Sequence, residues 1–344
     1  MSPQPWALPT TVLPDGHERQ LWVVDGRLTS RPADAAELLP GRFTLPGLVD
    51  AHAHVSLGPG QVPLDLSATA DALRRLPVTG VLAVRDVGSP GDLVLDLVPD
   101  AAQPRIQAAG QWLAPEGRYY ERLHRAVAPD DVVTAALAQV RAGAGWVKVV
   151  ADWTDGDLSY EPSLLEQLVR AVHEAGARVA AHTQGPAISD IIAAGVDSLE
   201  HGCGLDTDDL EVLAAQGTAW TPTLLALSGP LPAGATPERE ARRQGWLDNS
   251  RALLASAVAQ GVIVLAGTDT AGPITAEIAQ LIDYGLTPQQ ALRAATTDAR
   301  DYLGLPSLDE GAVADVITFE TDPREDPSVL AEPAAVLLGG VRVR

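Results

Sequence analysis

The sequence predicts an α/β fold: a (β/α)₈ TIM barrel with a small β-sandwich domain formed from the N- and C-terminal segments. From about residue 45 onward, short apolar runs alternate with stretches of helical spacing, a pattern typical of a parallel sheet with helical crossovers. Eight apolar runs are present, which favours a closed barrel over an open sheet. Outside this region, alternating apolar residues and turn sequences favour β-hairpins.

The barrel elements follow one another along the chain as strand, then helix. Helical spacing is clear in Asp130–Ala142, Pro162–Ala175 and Asp208–Ala215, whereas the stretch after Val87 is short and poorly defined. Pro162 lies where a first helical turn tolerates proline. The eight predicted strands are Leu45–His54, Gly80–Val87, Arg105–Trp112, Trp146–Ala151, Arg178–Thr183, Asp197–His201, Ala219–Leu224 and Val262–Thr268.

The two ends of the chain are predicted to form the smaller domain together. Thr11–Leu28 alternates apolar and polar residues around two turn sequences, Pro14-Asp15-Gly16 and Asp25-Gly26. Ala312–Glu320 and Ala334–Arg344 have the composition of further strands. The predicted division is therefore 1–44 and 306–344 for the small domain and 45–305 for the barrel.

Composition excludes several classes of function. The formal net charge of the 344-residue chain is −21, so nucleic acid and anionic membranes are poor partners. No apolar run reaches the roughly 18–20 residues that span a bilayer, and Met1–Thr10 lacks the features of a signal peptide. The single cysteine, Cys203, allows no internal disulfide. We expect a cytoplasmic protein that acts on a small molecule; a homo-oligomer stays open.

Lys148 is the single lysine among 24 basic residues, the others being arginines. A chain that uses arginine for positive charge keeps a lysine either by chance or because an amine is needed. Its neighbours in the fourth predicted strand are apolar, and burial lowers the pKa of a lysine toward the neutral, nucleophilic form. Such an amine can add carbon dioxide to give a carbamate with two oxygens. The alternative is a lysine paired with a carboxylate.

Four histidines and one aspartate fall at the ends of other predicted strands. His52 and His54 lie two residues apart on the first strand, so both side chains point to the same face. His182, His201 and Asp269 end the fifth, sixth and eighth strands. Each alone could be a core or loop residue, but the C-terminal ends of barrel strands form one active-site face. Together with Lys148 they predict a metal site.

Six motifs around these residues resemble the amidohydrolase superfamily, specifically its imidazolonepropionase-like and Xaa-Pro dipeptidase-like branch. The resemblance covers nearly the whole chain, and GAVADVITFETDP (311–323) is similar to the small-domain strand that closes such chains. The motifs are LPGLVDAHAHV (45–55), AGWVKVVAD (144–152), VAAHTQG (179–185), VDSLEHG (196–202), AGTDT (266–270) and GLTPQQALRAAT (285–296).

The resemblance implies a binuclear centre of two divalent ions, expected to be Zn²⁺, because imidazole and carboxylate ligands suit zinc. His52, His54 and Asp269 would bind the first ion, and His182 and His201 the second. Lys148, carboxylated by CO₂, would bridge both. Asp269 and His201 are then the catalytic residues, with Asp269 as general base and acid for a hydroxide that lies between the ions.

Seven residues on the loops above the predicted metals are candidate substrate contacts. The aromatic ones favour an apolar or aromatic substrate, and Arg118 and His124 are suited to orient a carboxylate or carbonyl. Arg85 and Asp86, which end the second strand, are expected to form an internal ion pair. The candidate contacts are Trp112, Arg118, Tyr119, Tyr120, His124, Trp153 and Gln184.

Two positions depart from dipeptide-cleaving relatives. Those relatives often carry an aromatic residue in a His-Ala-Tyr-Gly pattern where this chain has His182-Thr183-Gln184-Gly185, and a histidine or arginine where it has Gly272–Glu277. The expected activity is hydrolysis of a C–N bond in an amide, cyclic amide or small peptide. The alternatives are a lactone or ester hydrolase, a dipeptidase or carboxypeptidase, a mononuclear deaminase that would not need Lys148, and a non-catalytic binding scaffold.

Overall fold

The computed structural model describes residues 4–153, 156–231 and 234–344. Eight strands run parallel around a barrel, each close to a strand that the sequence predicts. The third, seventh and eighth strands are clearly shorter than predicted. The barrel strands are Leu48–Ala53, Val81–Asp86, Arg105–Ala108, Trp146–Val150, Arg178–Thr183, Ser198–His201, Ala219–Thr221 and Ile263–Val264.

The barrel closes through backbone hydrogen bonds between two parallel sheets. The first three barrel strands form one sheet and the remaining five form the other. At one seam, Val150 N donates to Leu113 O at 2.9 Å, and at the other Ala51 N donates to Ala266 O at 2.9 Å. Because both seams are bonded, the C-terminal ends of all eight strands open onto one mouth.

Helices cover the outside of the barrel and begin and end at the residues that the sequence favours. Thr207–Gln216 begins with a capping box between Asp206 and Asp209 and ends at Gly217, whose φ is +72°. No helix within the described residues combines the length and the apolar character needed to cross a bilayer. The α-helices are Leu66–Leu73, Val132–Arg141, Pro162–Glu174, Ile188–Ala193, Thr207–Gln216, Leu224–Ser228, Pro237–Ala259, Ile274–Asp283, Pro288–Ala294 and Thr297–Leu303. Short 3₁₀ turns are Pro59–Gln61, Pro77–Thr79, Leu93–Asp96, Pro129–Asp131 and Pro327–Ala331.

Both ends of the chain build two small sheets that pack face to face. Their shared core includes Trp6, Val23 and Leu28 from one sheet and Val316 and Leu337 from the other. This is the predicted sandwich. One sheet has the strand order Arg27–Thr29, Trp22–Val24, Trp6–Ala7, Glu37–Leu38, and the other has the order Val341–Arg342, Ala335–Leu338, Val316–Phe319, Phe43–Pro46, Thr11–Val12, His17–Glu18. A two-stranded ribbon, Leu57–Gly58 with Val62–Pro63, lies apart from both sheets.

The prediction of one continuous strand over Leu45–His54 is wrong. Phe43–Pro46 pairs with Val316–Phe319 in the sandwich, and the first barrel strand begins only at Leu48. The chain crosses between the two sheets at Gly47, where a Cβ atom would lie 2.4 Å from Leu82 Cδ1. Only glycine allows this close approach. The domain boundaries themselves, at 44/45 and 305/306, stay predictions.

Candidate metal centre

The two histidines of the first barrel strand face Asp269, which follows the eighth. His54 Nε2 lies 3.1 Å from Asp269 Oδ1, and His52 Nε2 lies 3.6 Å from the same oxygen. Ligand atoms of His52, His201 and Asp269 lie within 4.8 Å of one another, close enough for one metal ion. Alternation along the strand therefore brings both imidazoles to the mouth of the barrel.

The histidines of the fifth and sixth strands form a second pair beside the first. His201 Nε2 lies 3.0 Å from His182 Nδ1, and the His201 ring centroid lies 5.2 Å from that of His52. Two nitrogens bound to one tetrahedral zinc at 2.0–2.1 Å lie roughly 3.3 Å apart. This histidine pair therefore has the spacing of two ligands on one ion.

Outer hydrogen bonds hold the first-strand histidines in fixed orientations. His54 Nδ1 donates to Gly88 O at 2.9 Å, and His52 Nδ1 donates to Glu200 Oε2 at 2.6 Å. In each ring the Nε2 lone pair is then left for the interior of the site. Such outer partners commonly orient metal-binding histidines in proteins.

His201 is oriented by Thr223, which lies just after the seventh barrel strand and immediately before the helix Leu224–Ser228. Its Nδ1 donates to Thr223 Oγ1 at 2.7 Å, and the threonine hydroxyl donates to Pro222 O at 2.8 Å. Both residues have left-handed backbone conformations, with φ of +71° at His201 and +50° at Thr223, and Asp269 has φ of +47°. Non-glycine residues rarely adopt this region, and such strain concentrates at functional sites.

The amine of Lys148 is buried beneath the histidines without a partner. The residue is 1% exposed, and Nζ has no hydrogen-bond partner within the described part of the chain. Burial lowers its pKa to about 8, against the opposing charges of Glu200 and Asp269. Its charge also depresses the pKa of His182 and His201, although burial is the larger cause in both. The predicted desolvated amine is present.

Glu200 is a functional residue that the sequence analysis missed. It is fully buried and accepts hydrogen bonds from His52, Ser198 Oγ at 2.7 Å and Arg85 Nη2 at 2.8 Å. Burial acts to raise its pKa, but Arg85 and His52 hold that pKa well below the usual value. The available signal was a glutamate on the predicted strand Asp197–His201, directly before the candidate ligand His201.

The predicted ion pair between Arg85 and Asp86 is wrong. Arg85 crosses the barrel interior to Glu200, whereas Asp86 accepts hydrogen bonds from the backbone N–H groups of Val55 and Gly88 at 2.8 and 3.2 Å. Neighbours in a strand point to opposite faces, so the two side chains cannot meet.

Aromatic rings from the loops after strands 3 and 4 form a wall beside the histidines. The Trp112 ring lies 5.1 Å from His54, and the Trp153 ring lies 5.4 Å from His182, centroid to centroid. Tyr119 lies between the two tryptophans, 5.3 Å from Trp112 and 5.1 Å from Trp153. The structure thus brings these three predicted contacts to the site.

The other candidate contacts lie farther out. Tyr120 is 42% exposed and stacks edge-on against Trp153, and its carbonyl accepts from His124 Nδ1 at 3.1 Å. Arg118 is partly buried in the same loop. Gln184 lines a cavity of about 120 Å³ together with Trp153 and Trp246. These residues border the mouth rather than the cluster of imidazoles.

The donor set fits divalent metal ions. Four buried imidazoles and one carboxylate lie together here, and the buried Lys148 Nζ has no hydrogen-bond partner among the described residues. Buried polar atoms are almost always satisfied, so orphaned ones indicate a missing ligand. Imidazole nitrogen and carboxylate oxygen are ligands that zinc and similar ions accept.

The chain belongs to the amidohydrolase family, whose model matches residues 43–343. It is 40% identical over 347 residues to an uncharacterized protein of Mycobacterium tuberculosis, covering 95% of this chain and 93% of that one. It is 32% identical to the ochratoxinase of Aspergillus niger over 229 residues, which is 60% of this chain and 47% of the relative.

Solved structures show the same fold. The A. niger ochratoxinase superposes with a TM-score of 0.85 at 22% identity, covering 100% of this chain and 96% of that chain. A Bifidobacterium longum protein assigned as a prolidase superposes with a TM-score of 0.82 at 25% identity, covering 100% and 95%. The predicted membership of the amidohydrolases, in their imidazolonepropionase-like and Xaa-Pro dipeptidase-like branch, is confirmed. The protein is a hydrolase acting on C–N bonds.

Proposed function

We propose that this protein is a binuclear metal-dependent hydrolase that cleaves an amide C–N bond in a small apolar or aromatic substrate. The observation that carries the proposal is the buried amine of Lys148, which has no hydrogen-bond partner among the described residues and whose charge acts on His52, His182 and His201. An isolated buried ammonium is costly. A role that turns the amine into a metal-bridging anion explains both its burial and the absence of a partner among the described residues.

The ligand assignment follows the two pairs of imidazoles. His52 and His54, which face Asp269, hold the first ion together with that carboxylate. His182 and His201 would hold the second ion, which would lie close to the first because a ligand atom of His201 is also within 4.8 Å of those of His52 and Asp269. Addition of CO₂ to the neutral amine of Lys148, with formation of an N–C bond and loss of one proton, would give a carbamate whose anionic charge could help to hold both ions. Bound divalent ions lower the pKa of water and polarise a carbonyl; Zn²⁺ is the expected ion.

Asp269 moves the proton. Burial acts to raise the pKa of its carboxyl, but the adjacent imidazoles of His54 and His52 hold that pKa below its usual range. The group is therefore an anion at neutral pH. It accepts the proton of the attacking water and delivers it to the departing nitrogen, as general base and then general acid. His201 contributes as a ligand at the reacting centre.

The aromatic wall supports the substrate class. Trp112, Tyr119 and Trp153 present ring faces and edges next to the imidazoles, which suits a flat, apolar group beside the scissile bond. The similarity to an ochratoxinase and to a protein assigned as a prolidase supports hydrolysis of a C–N bond in a small substrate. The cytoplasmic location and a homo-oligomeric state stay predictions.

The test combines metal analysis with a substrate panel. We expect close to two divalent ions per chain by mass spectrometry, and turnover of N-aroyl amino acids above Xaa-Pro dipeptides, aryl lactones and esters. Asp269→Asn is the matched control, since it keeps the side-chain size, and its kcat should fall by about 10²–10⁴. Faster turnover of lactones than amides would make the protein a lactone hydrolase. One ion with full activity in Lys148→Ala would favour the mononuclear deaminase. Two bound ions with no turnover would favour the scaffold.

A further inference from the structure

Glu277 is a buried carboxylate that the proposed mechanism does not use. It lies in the first turn of helix Ile274–Asp283, in the segment where the chain departs from dipeptide-cleaving relatives. The residue is fully buried. Glutamate is almost never fully buried unless it is paired, so the partners of this carboxylate indicate its role.

Both oxygens of Glu277 bind backbone amides of another segment. Oε1 accepts from Leu224 N at 2.9 Å, and Oε2 accepts from Leu225 N at 2.7 Å. These amides open the short helix Leu224–Ser228, which follows the seventh barrel strand. The first amides of a helix have no partner within the helix. Glu277 therefore fixes the start of this helix from outside.

The residue immediately before these amides is Thr223, which orients a proposed metal ligand. Thr223 has φ of +50° and makes no side-chain cap for the helix that it precedes. Its hydroxyl instead accepts from His201 Nδ1 at 2.7 Å. A β-branched residue is rare in the left-handed region, so neighbouring structure must hold it there.

We infer that Glu277 is a positioning residue for the metal centre, acting through Thr223 on His201. By anchoring the two amides that follow Thr223, the carboxylate holds that residue in its left-handed conformation. The Thr223 hydroxyl then keeps the imidazole of His201 turned so that Nε2 faces His182. This inference rests on the proposed function, because it assigns His201 to the second ion.

The chemistry requires a carboxylate rather than an amide at position 277. Burial raises the pKa of Glu277 to about 8, and the two backbone N–H donors oppose this shift because they bind the carboxylate form, whose two oxygens both accept. In Glu277→Gln one oxygen is replaced by an NH₂ group, which would face one of the two N–H groups as a second donor. The substitution alters only the hydrogen bonds to Leu224 N and Leu225 N. It therefore tests directly whether Glu277 positions Thr223.

The experiment measures the stepwise affinity for Zn²⁺ by competition with a chromogenic chelator, without reference to activity. Outer partners of metal ligands are typically worth 10–100-fold in affinity. We expect Glu277→Gln and Thr223→Val each to weaken the binding of one ion about tenfold and to leave the other ion unchanged. The double variant should be no weaker than either single variant, because both act on His201 through one path.

Asp209→Asn is the matched control. Asp209 is a buried carboxylate that accepts Asp206 N at 3.0 Å and Ser189 Oγ at 2.8 Å at the start of a different helix. The Asp209→Asn substitution should lower the unfolding temperature of the metal-free protein without changing its Zn²⁺ affinity.

Three results would overturn the inference. One is unchanged Zn²⁺ affinity in Glu277→Gln, the second is an equal loss for both ions, and the third is a double variant with multiplied losses. A wild-type protein that binds no Zn²⁺ would instead overturn the proposed function itself.

Discussion

Buried charge is handled in opposite ways at the junction of the two domains and at the mouth of the barrel. At the junction, Asp315 is buried and accepts from Arg105 Nε at 2.6 Å and from Gly339 N at 2.9 Å. At the mouth, the buried amine of Lys148 has no hydrogen-bond partner among the described residues. The first charge is satisfied by the fold, whereas the second is left for a ligand.

The backbone conformations of the junction and of the mouth also differ. Asp315 and its partners have backbone angles ordinary for their residue types, since only glycine among them has a positive φ. At the mouth, His201, Thr223 and Asp269 all have positive φ. Strain of this kind costs about 1–3 kcal/mol per residue and persists only where the surroundings enforce it. The comparison indicates that the junction stabilises the fold. At the mouth, the strained backbone that positions the side chains lowers stability.

The largest effect is expected from replacing the lysine. Lys148→Met removes the amine but keeps a side chain of similar length, so activity and bound metal should be lost while the metal-free protein stays at least as stable. Lys148→Ala should also be inactive, but it leaves room for a small carboxylic acid such as propionate to restore part of the activity. Metal analysis measures the bound ions, activity assays measure turnover, and thermal unfolding measures the stability of the metal-free proteins. Full metal content in Lys148→Met would contradict the account.

A smaller effect on function, with a large effect on stability, is expected for Glu200→Gln. The substitution leaves the guanidinium of Arg85 buried without its counter-charge and weakens the support of His52. Loss of one partner of a buried pair costs about 3–5 kcal/mol in the free energy of unfolding, and metal affinity should fall about 10–100-fold. Denaturant unfolding and chelator competition measure both quantities. A stable variant with normal metal affinity would show that Glu200 does not support the metal site.

The smallest effect on function is expected at the junction. Arg105→Met leaves Asp315 buried without its ion pair, which should lower the free energy of unfolding by about 1–3 kcal/mol. Metal content and kcat should match those of the wild type, because Arg105 does not contact the imidazoles. If this variant lost metal or activity, the distinction between the two regions would fail.

Local sequence patterns predict the fold and several of the side chains that the structure brings to the mouth of the barrel. Strand-end motifs identify the barrel, and alternation correctly places His52 and His54 on one face. The aromatic wall also follows from the positions of Trp112, Tyr119 and Trp153 after strands 3 and 4. These features depend on neighbours along the chain, which a sequence displays directly.

Contacts between residues far apart in the sequence cannot be predicted from local sequence patterns. Arg85 binds Glu200, which lies 115 residues away, and nothing in the neighbourhood of either residue marks that pairing. The link from Glu277 to Leu224 spans 53 residues. Likewise, the crossing at Gly47 depends on the closeness of Leu82, so the sequence predicts one strand where the structure has two.

The most direct test of the central claim is a high-resolution crystal structure of the protein loaded with Zn²⁺ in bicarbonate buffer. We predict electron density for a planar carboxyl group on Lys148 Nζ, with one ion on each of its oxygens. His52, His54 and Asp269 should surround the first ion, and His182 and His201 the second. A bare Lys148 amine in a crystal that contains one ion or none would contradict the account.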